Sequence, residues 1–191
     1  MNQGSLNDQL RAHVEKFWIN NRKREFVWKT GPISNVYKNF SVMEIEPSKQ
    51  QEEWVYITIG ASQFHSPNHE RLEFFILSPT QDKIHIDTLA MLANFHTDLR
   101  YGGVHLGRVI EIGRPWMNNS LCEYFLVSLP YTMGEKFELF EKDIYKIRFL
   151  WLLPITPAEA QYVSIYGQEA LENKLEENSV DYLNPQRKSV V

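Results

Sequence analysis

The chain has 191 residues, of which 43% are apolar and 23% are charged. This composition is typical of an ordinary globular domain and argues against a disordered chain, a collagen or a disulfide scaffold. Twenty Lys and Arg residues against 24 Asp and Glu residues give a net charge of −4, which disfavours a nucleic-acid binder, and the single cysteine excludes an intramolecular disulfide.

The N-terminal segment predicts an amphipathic helix over residues 6–19. Ser5 or Asn7 can serve as its N-cap, and its apolar residues recur at helical spacing: Leu6, Leu10, Val14, Phe17 and Trp18. Charged residues interrupt this segment, so it lacks the apolar stretch of a signal peptide. The longest strongly apolar run, residues 149–155, is far shorter than the roughly 20 residues that span a bilayer. The sequence therefore predicts a cytoplasmic protein with no membrane partner.

Strand patterns dominate the middle of the chain. Alternating or continuous apolar residues predict strands over residues 40–46, 54–59, 72–77, 109–112, 121–129 and 145–153. Loops are predicted at 20–24, which is polar and basic, and at 60–69, which contains Gly60, Pro67 and Asn68.

Helices are predicted before and after the later strands. Asp87 is the expected N-cap of a helix over residues 88–99, which Gly102 and Gly103 end. Because strands cluster rather than alternate with helices, the predicted fold class is α+β. The expected architecture is a single domain with a mixed, largely antiparallel sheet flanked by helices.

The sharpest local signal is a helix start after the last predicted strand. Thr156 suits the N-cap, Pro157 suits the first helical position, and Glu159 can accept a hydrogen bond from the cap amide. Gly167 is the expected stop of this helix, and a second helix is predicted over residues 168–177.

Six short segments then form a recognisable series along the chain. They are the acidic-then-apolar strand 70–79, the helix 89–95, the Gly-x-His element 103–105, the run 149–159, the turn and helix 167–172, and the tail 184–189. In this order and spacing the chain resembles the suppressor of fused family from about residue 25 to its end. The positions that carry the resemblance include Glu73, Gly103, His105, Glu159, Gly167 and Arg187.

The resemblance implies an α/β sandwich that binds proteins and catalyses no known reaction. Bacterial members look like immunity proteins, which bind a toxin domain and block it. The length is similar to that of the single-domain bacterial type, whereas larger animal relatives carry a second, C-terminal lobe. Residues 1–24 are therefore expected to form an N-terminal helix and loop packed on the domain, and residues 25–191 to form the family domain.

Histidines offer the alternative of an enzyme. His96 lies on the apolar face of its predicted helix and His105 follows a glycine turn, so a hydrolase using either would need a carboxylate or Cys122 nearby. No nucleophile is paired with them in sequence, and His65 and His69 lack the further ligands of a metal site. The prediction is a protein with no catalytic residues, no metal and no cofactor.

Glu73 interrupts an apolar strand and must find hydrogen-bond donors there, because an unpaired buried carboxylate is costly. Arg71 lies two residues earlier on the same face and is the expected partner. The alternative is a catalytic acid whose pKa is raised by burial.

A partner surface is predicted from two loops rich in aromatic, Met and Arg side chains, which are enriched at protein interfaces. Its expected residues are Arg114, an exposed Trp116, Met117, Tyr131 and Met133. The alternative is that Trp116 packs back on the core. The acidic balance suits a basic toxin surface, and a regulatory adaptor that takes an extended peptide at a sheet edge remains the alternative function.

Overall fold

An eight-stranded sheet forms the centre of the fold, and helices cover both of its faces. The computed structural model of the chain describes residues 5–66, 69–98, 100 and 102–191. Its strands are β1 (Lys23–Val27), β2 (Ser41–Ile45), β3 (Trp54–Ile59), β4 (Arg71–Ser78), β5 (Val109–Glu111), β6 (Tyr124–Ser128), β7 (Leu139–Lys142) and β8 (Tyr145–Ile155). Its α-helices are α1 (Leu6–Glu15), α2 (Pro32–Val36), α3 (Ile84–His96), α4 (Glu135–Glu138), α5 (Pro157–Tyr166) and α6 (Gln168–Glu177).

The strand order is β1-β2-β3-β4-β8-β6-β5, with β7 also paired to β8. Of the strand pairs formed by the described residues, β4 and β8 run parallel and the others are antiparallel. The eleven-residue β8 pairs with β4 along one edge, and along the other edge its first half pairs with β7 and its second half with β6. The predicted mixed, largely antiparallel sheet is confirmed.

Alternation along the strands divides the core into two clusters, one on each face of the sheet. On the first face, side chains such as Val42, Phe74 and Leu150 pack against α2, α3 and the segment 104–122. On the second face, Met43 and Trp151, among others, pack against α1, α4, α5 and α6. The α/β sandwich that the family resemblance implies is therefore confirmed.

Most predicted elements are present, with shifted ends. Helix α1 ends four residues before the predicted limit, but Trp18 still packs in the core at 3% exposure. Strand β3 has the predicted bounds, and β2, β4 and β8 differ from prediction by a few residues. Among the described residues no helix has both the length and the apolar character needed to cross a bilayer.

Several expectations are wrong at the ends of elements. The segment 20–24 is not a loop throughout, because β1 begins at Lys23 and its charged side chains lie at the sheet edge, where they are tolerated. Helix α3 begins at Ile84, whose N–H is bound by the Asp82 carboxylate, so Asp87 lies in the first turn rather than at the cap. Cys122 precedes β6 instead of lying in it.

Some elements and positions fall outside what the sequence indicated. Helices α2 and α4 and strand β7 were not predicted, because each has only four or five residues and no clear periodicity. Leu99, at the predicted end of the third helix, lies outside the described residues, as do Pro67 and Asn68 of the predicted loop.

Candidate protein-binding surface

The loop that contains Trp116 belongs mainly to the core. Trp116 is 1% exposed and its ring lies 5.4 Å from the ring of His85 on α3, so the expectation of an exposed Trp116 is wrong. Met117 is also buried, and Arg114 donates a 2.6 Å hydrogen bond to the hydroxyl of Thr88. The loop turns back on α3 because moving the large indole of Trp116 from water into the core is favourable in free energy.

The two predicted loops lie on opposite faces of the sheet. Trp116 and Met117 pack in the first-face cluster, whereas Met133 packs against the second-face cluster. The structure therefore does not bring the five predicted residues together. Tyr131, which is 59% exposed, is the large aromatic side chain among them that remains available to a partner.

Tyr131 borders a cavity of about 450 Å³, here called the Tyr131 cavity. Strand β8 supplies Trp151 and Leu153, which are two residues apart and therefore point to the same face. The remaining lining comes from the loop after β6, from one face of α6 and from the C-terminal tail: Tyr131, Thr132, Glu169, Glu172, Asn173, Leu175, Glu176 and Tyr182.

A hydrogen-bond network holds the Tyr131 ring in place. Its hydroxyl donates to Glu172 Oε2 at 2.9 Å, while Glu172 Oε1 accepts from the Ser128 hydroxyl at 2.6 Å and from the Gln168 amide at 2.7 Å. Burial, together with the bond to Glu172, raises the pKa of Tyr131 to about 12, so its phenol stays protonated and donates at neutral pH. A fixed, exposed aromatic ring is typical of an interface anchor.

The cavity carries negative charge. Glu169, Glu172 and Glu176 line it from α6, and none of its described lining residues is Lys, Arg or His. These glutamates are not among the site residues predicted from the sequence. Their spacing of three, four and seven residues on one predicted helix was the signal that could have found them.

Glu73 is a buried structural carboxylate, and the predicted ion pair with Arg71 is wrong. Its oxygens accept hydrogen bonds from the Thr58 hydroxyl at 2.6 Å, from the Ser62 hydroxyl at 2.7 Å and from the backbone N–H groups of residues 60–62. Arg71 instead donates to the Ser62 carbonyl. Burial raises the pKa of Glu73, and the hydrogen bonds oppose that rise.

Glu159 and Arg187 fix the C-terminal tail to α5. The Arg187 guanidinium donates to both Glu159 oxygens, at 2.7 and 2.8 Å, and to the Pro154 carbonyl at 2.8 Å. Glu159 also accepts from the Thr156 N–H, which completes the predicted capping box. Both partners are buried, at 0% and 6% exposure, so this pair has a structural role.

The remaining resemblance positions shape turns. Gly103 and Gly167 both have positive φ, of 57° and 87°, which favours glycine. The Gly103 carbonyl accepts a hydrogen bond from Arg108, and Gly167 ends α5 as predicted. His105 is half-buried, with Nδ1 2.9 Å from the Leu106 carbonyl oxygen.

The residues considered for catalysis are engaged in packing. His96 is fully buried, its Nδ1 accepts the Val104 N–H at 3.1 Å, and burial lowers its pKa to about 4. Cys122 is 1% exposed, and burial raises the pKa of its thiol. None of His96, His105, Glu73 or Cys122 lines the Tyr131 cavity. The described part of the chain holds no cluster of three His, Cys, Asp or Glu side chains that could bind a metal.

Comparison with known proteins gives concordant results. The sequence model of the suppressor of fused protein family (SUFU) matches residues 37–188. A crystal structure described as a suppressor of fused homologue from Neisseria gonorrhoeae FA 1090 is 37% identical, with a TM-score of 0.87 and 97% of each chain covered. The immunity protein YqcF of Bacillus subtilis (strain 168) is 26% identical over 165 residues, which cover 81% of this chain and 84% of that protein.

More distant structures share the fold. Drosophila Suppressor of Fused is 12% identical with a TM-score of 0.70, and the match covers 94% of this chain but 50% of the Drosophila chain. A chain in the structure of the Sufu–Fu complex is 13% identical with a TM-score of 0.69.

Proposed function

The chain belongs to the suppressor of fused family, and on that premise we propose that it is a non-enzymatic protein-binding module that serves as an immunity protein. In this role it binds a toxin domain and blocks it by covering its surface, with no covalent step. The observation that carries the proposal is the similarity to an immunity protein over 81% of this chain and 84% of that protein. Similarity over most of both chains supports a shared mode of action better than one short motif does.

The surface around the Tyr131 cavity is the best-supported place for such a partner. A fixed aromatic ring, a concave wall and unneutralised carboxylates lie together there. A standard interface covers about 800 Å² of each partner, roughly 8% of the 10286 Å² that this chain exposes. The net charge of −4 favours association with a basic partner through electrostatic steering.

Affinity capture tests this proposal. The tagged chain is purified from its own cells, and bound proteins are identified by mass spectrometry. The product of the adjacent gene is co-expressed as a directed test. The expected result is a stable one-to-one complex with a protein that carries a toxic domain, together with relief of that toxicity. Failure to recover any stoichiometric partner, in cells that express both genes, contradicts the proposal.

A matched pair of variants locates the surface. Tyr131→Ala is expected to weaken the complex by about 1–2 kcal/mol, because the exposed anchor is lost. Tyr166→Ala on α5 removes an equally exposed tyrosine, 62% against 59%, and is expected to leave affinity unchanged. Equal effects of the two substitutions would place the interface elsewhere.

A regulatory adaptor is the second candidate, and one observation favours it. Within the described part of the chain strand β1 pairs with β2 alone, so its outer edge can accept an extended peptide as an added strand. A cavity of about 460 Å³ beside this edge, lined in part by Phe26, Trp28 and Ile86, could hold an anchoring side chain. Recovery of a non-toxic regulator whose cross-links map to β1 would support this alternative over the immunity role.

A further inference from the structure

The outward face of helix α5 presents no charge to water. Five exposed residues lie on that face at helical spacing, and all five are uncharged: Pro157, Ala158, Gln161, Ser164 and Ile165. The one charged residue of the helix, Glu159, is buried and paired with Arg187. Helices at a protein surface usually present charged or strongly polar side chains to the solvent. This face therefore differs from an ordinary solvent-facing helix.

A groove of about 560 Å³ lies between α5 and the end of the sheet. Val109 of β5 and Tyr124 of β6 line it from the sheet, and Ala160, Gln161 and Ser164 line it from the helix. None of its described lining residues is charged. The outward face of α5 and this groove form one uncharged surface, here called the α5 surface, on a chain in which 23% of the residues are charged.

The open edge of strand β5 borders the groove. Within the described residues β5 pairs with β6 and with no other strand. The Arg108 carbonyl accepts from the Val127 N–H of β6, and the Ile112 N–H donates to the residue before β6. Hydrogen-bonding groups alternate in direction along an antiparallel strand. The backbone N–H and C=O groups of Val109 and Glu111 therefore point away from β6, toward the open edge.

This edge is complementary to itself. Two copies related by a two-fold axis at Ile110 pair as antiparallel strands, with Val109 of each copy opposite Glu111 of the other. Each such pair exchanges two backbone hydrogen bonds, so every outward backbone group of β5 is satisfied. The two Glu111 carboxylates lie diagonally rather than directly opposite each other. The same axis makes one continuous sheet and brings the two α5 surfaces together on its second face.

Charge favours a second copy as the occupant of this surface. Each copy carries a net charge of −4, so two copies associate most readily through a surface that brings no charges together. A basic partner gains no electrostatic attraction there and is drawn instead to carboxylates such as those of the Tyr131 cavity. A peptide of another protein would pair with the three residues of β5 and leave α5 uncovered.

From these observations we infer that the chain forms a two-fold dimer through the β5 edge and the α5 surface. The inference goes beyond the proposed function and does not depend on it, because the residues that line the Tyr131 cavity and those that line the groove are different. The dimer is held by four backbone hydrogen bonds between the β5 strands and by apolar contact between the α5 surfaces.

Sedimentation equilibrium of the purified chain tests the inference. The expected result is a species of twice the mass of one chain that grows as the protein concentration rises. Added salt is expected to strengthen the dimer, because it screens the repulsion between two copies of like charge. The amide protons of Val109 and Glu111 are expected to exchange with solvent more slowly at high protein concentration. A chain that sediments as a monomer at every concentration overturns the inference.

Two substitutions of Glu111 test the strand pairing. Glu111→Pro removes an outward N–H without touching the bonds to β6, and edge strands accept proline at such positions. It is expected to raise the dissociation constant of the dimer by at least about tenfold, because the bond is lost once in each copy. Glu111→Ala keeps the N–H and is expected to leave the dimer intact. Equal dissociation constants for the two variants would contradict pairing through this edge.

A matched pair of glutamine substitutions tests the α5 surface. Gln161→Glu places a carboxylate of each copy in the interface and is expected to weaken the dimer about tenfold. Gln50→Glu makes the same change at an exposed position between β2 and β3 and is expected to have no effect. Circular dichroism checks that each variant is folded.

Two further outcomes would also overturn the inference. A dimer that neither Glu111→Pro nor Gln161→Glu weakens uses a different face of the molecule. A monomeric chain whose capture of another protein is abolished by Gln161→Glu uses the α5 surface for that protein instead of for a second copy.

Discussion

Glu73 connects three parts of the polypeptide from inside the core. Its carboxylate on β4 accepts from Thr58 on β3 and from the backbone that begins the short 3₁₀ helix at residues 61–63. Each donor is buried and would otherwise lack an acceptor, which costs about 1–3 kcal/mol per group. The carboxylate therefore fixes the turn between β3 and β4.

Glu73→Gln is expected to lower the free energy of unfolding by about 3 kcal/mol, because an NH₂ group then faces donors where an oxygen accepted. Urea unfolding followed by circular dichroism measures this change. Glu70→Gln is the control, because Glu70 immediately precedes β4 and is partly exposed. It should lower the free energy of unfolding by under about 1 kcal/mol. A loss for Glu73→Gln no larger than that of the control would contradict the structural role.

Arg187→Met is expected to cost about 3–5 kcal/mol, since it leaves the Glu159 carboxylate buried without its counter-ion. The double variant Glu159→Leu/Arg187→Met should lose less than this single variant, because no unpaired charge remains. Lys146→Met, which breaks an exposed pair with Glu141, is the control and should cost at most about 1 kcal/mol. If the losses of Glu159→Leu and Arg187→Met measured singly added up to the loss of the double variant, the two side chains would not be coupled.

At this scale the sequence marks the important residues more readily than it marks their partners. Glu73 stood out because a carboxylate interrupts an apolar strand. Its donors lie 11 to 15 residues earlier, across a strand pairing that the sequence does not specify, so the nearer Arg71 was chosen wrongly. Trp116 was misplaced for the same reason, because only the tertiary packing of α3 shows what covers it.

The ends of helices and strands are predicted best where the local sequence signal is strong. Thr156, Pro157 and Glu159 mark the start of α5 by side-chain chemistry that needs no distant contact, and this start was predicted correctly. The start of α3 was predicted too late. Asp87 is a residue type that suits an N-cap, but the carboxylate of Asp82 accepts the Ile84 N–H at the true start of the helix. Strands β1 and β7 are short and carry charges, so their apolar alternation is weak.

Thr156→Ala is expected to destabilise the protein by about 1 kcal/mol, because the Glu159 N–H loses its cap acceptor. Thermal or urea unfolding measures the loss. Thr156→Ser keeps the hydroxyl and should retain most of the stability, while Thr30→Ala, at an exposed position, is the control. Similar losses for the alanine and serine variants would mean that side-chain packing, rather than capping, is at work.

At the scale of the whole molecule, buried histidines make stability depend on pH. Burial lowers the pKa of His85 and of His96 to about 4, and lowers that of His13 as well. The unfolded chain, with histidine pKa values near 6.5, therefore binds more protons than the folded chain between about pH 4 and 6.5. The stabilisation is fully present above pH 6.5 and is lost as the pH falls toward 4.

The free energy of unfolding is thus expected to fall between about pH 7.5 and pH 5. Over the whole range down to pH 4, His85 and His96 each contribute on the order of 3 kcal/mol to this fall. The raised pKa of Glu73 acts in the opposite direction. His96→Gln keeps an acceptor for the Val104 N–H and should make the pH dependence shallower. A free energy of unfolding that stays constant from pH 7.5 to 5 would contradict these neutral buried histidines.

The overall architecture was predictable because strand clustering indicates an α+β fold and the resemblance implies a sandwich. The candidate surface was only partly predictable. Tyr131 was named from its loop, but the cavity also needs Trp151 from β8 and Glu172 from α6, which are brought together by the order β8-β6 in the sheet and by the packing of α6 on its second face. Neither arrangement can be read from local sequence.

The most direct measurement of whether this protein acts by binding is a stoichiometric titration. The activity of the captured toxic partner is measured as increasing amounts of the protein are added. Steric blocking predicts a linear loss of activity that ends at one equivalent, with full recovery of activity after the complex is separated. Complete inactivation well below one equivalent, or a partner that stays inactive after separation, would show that the protein acts as an enzyme and would contradict the binding mechanism.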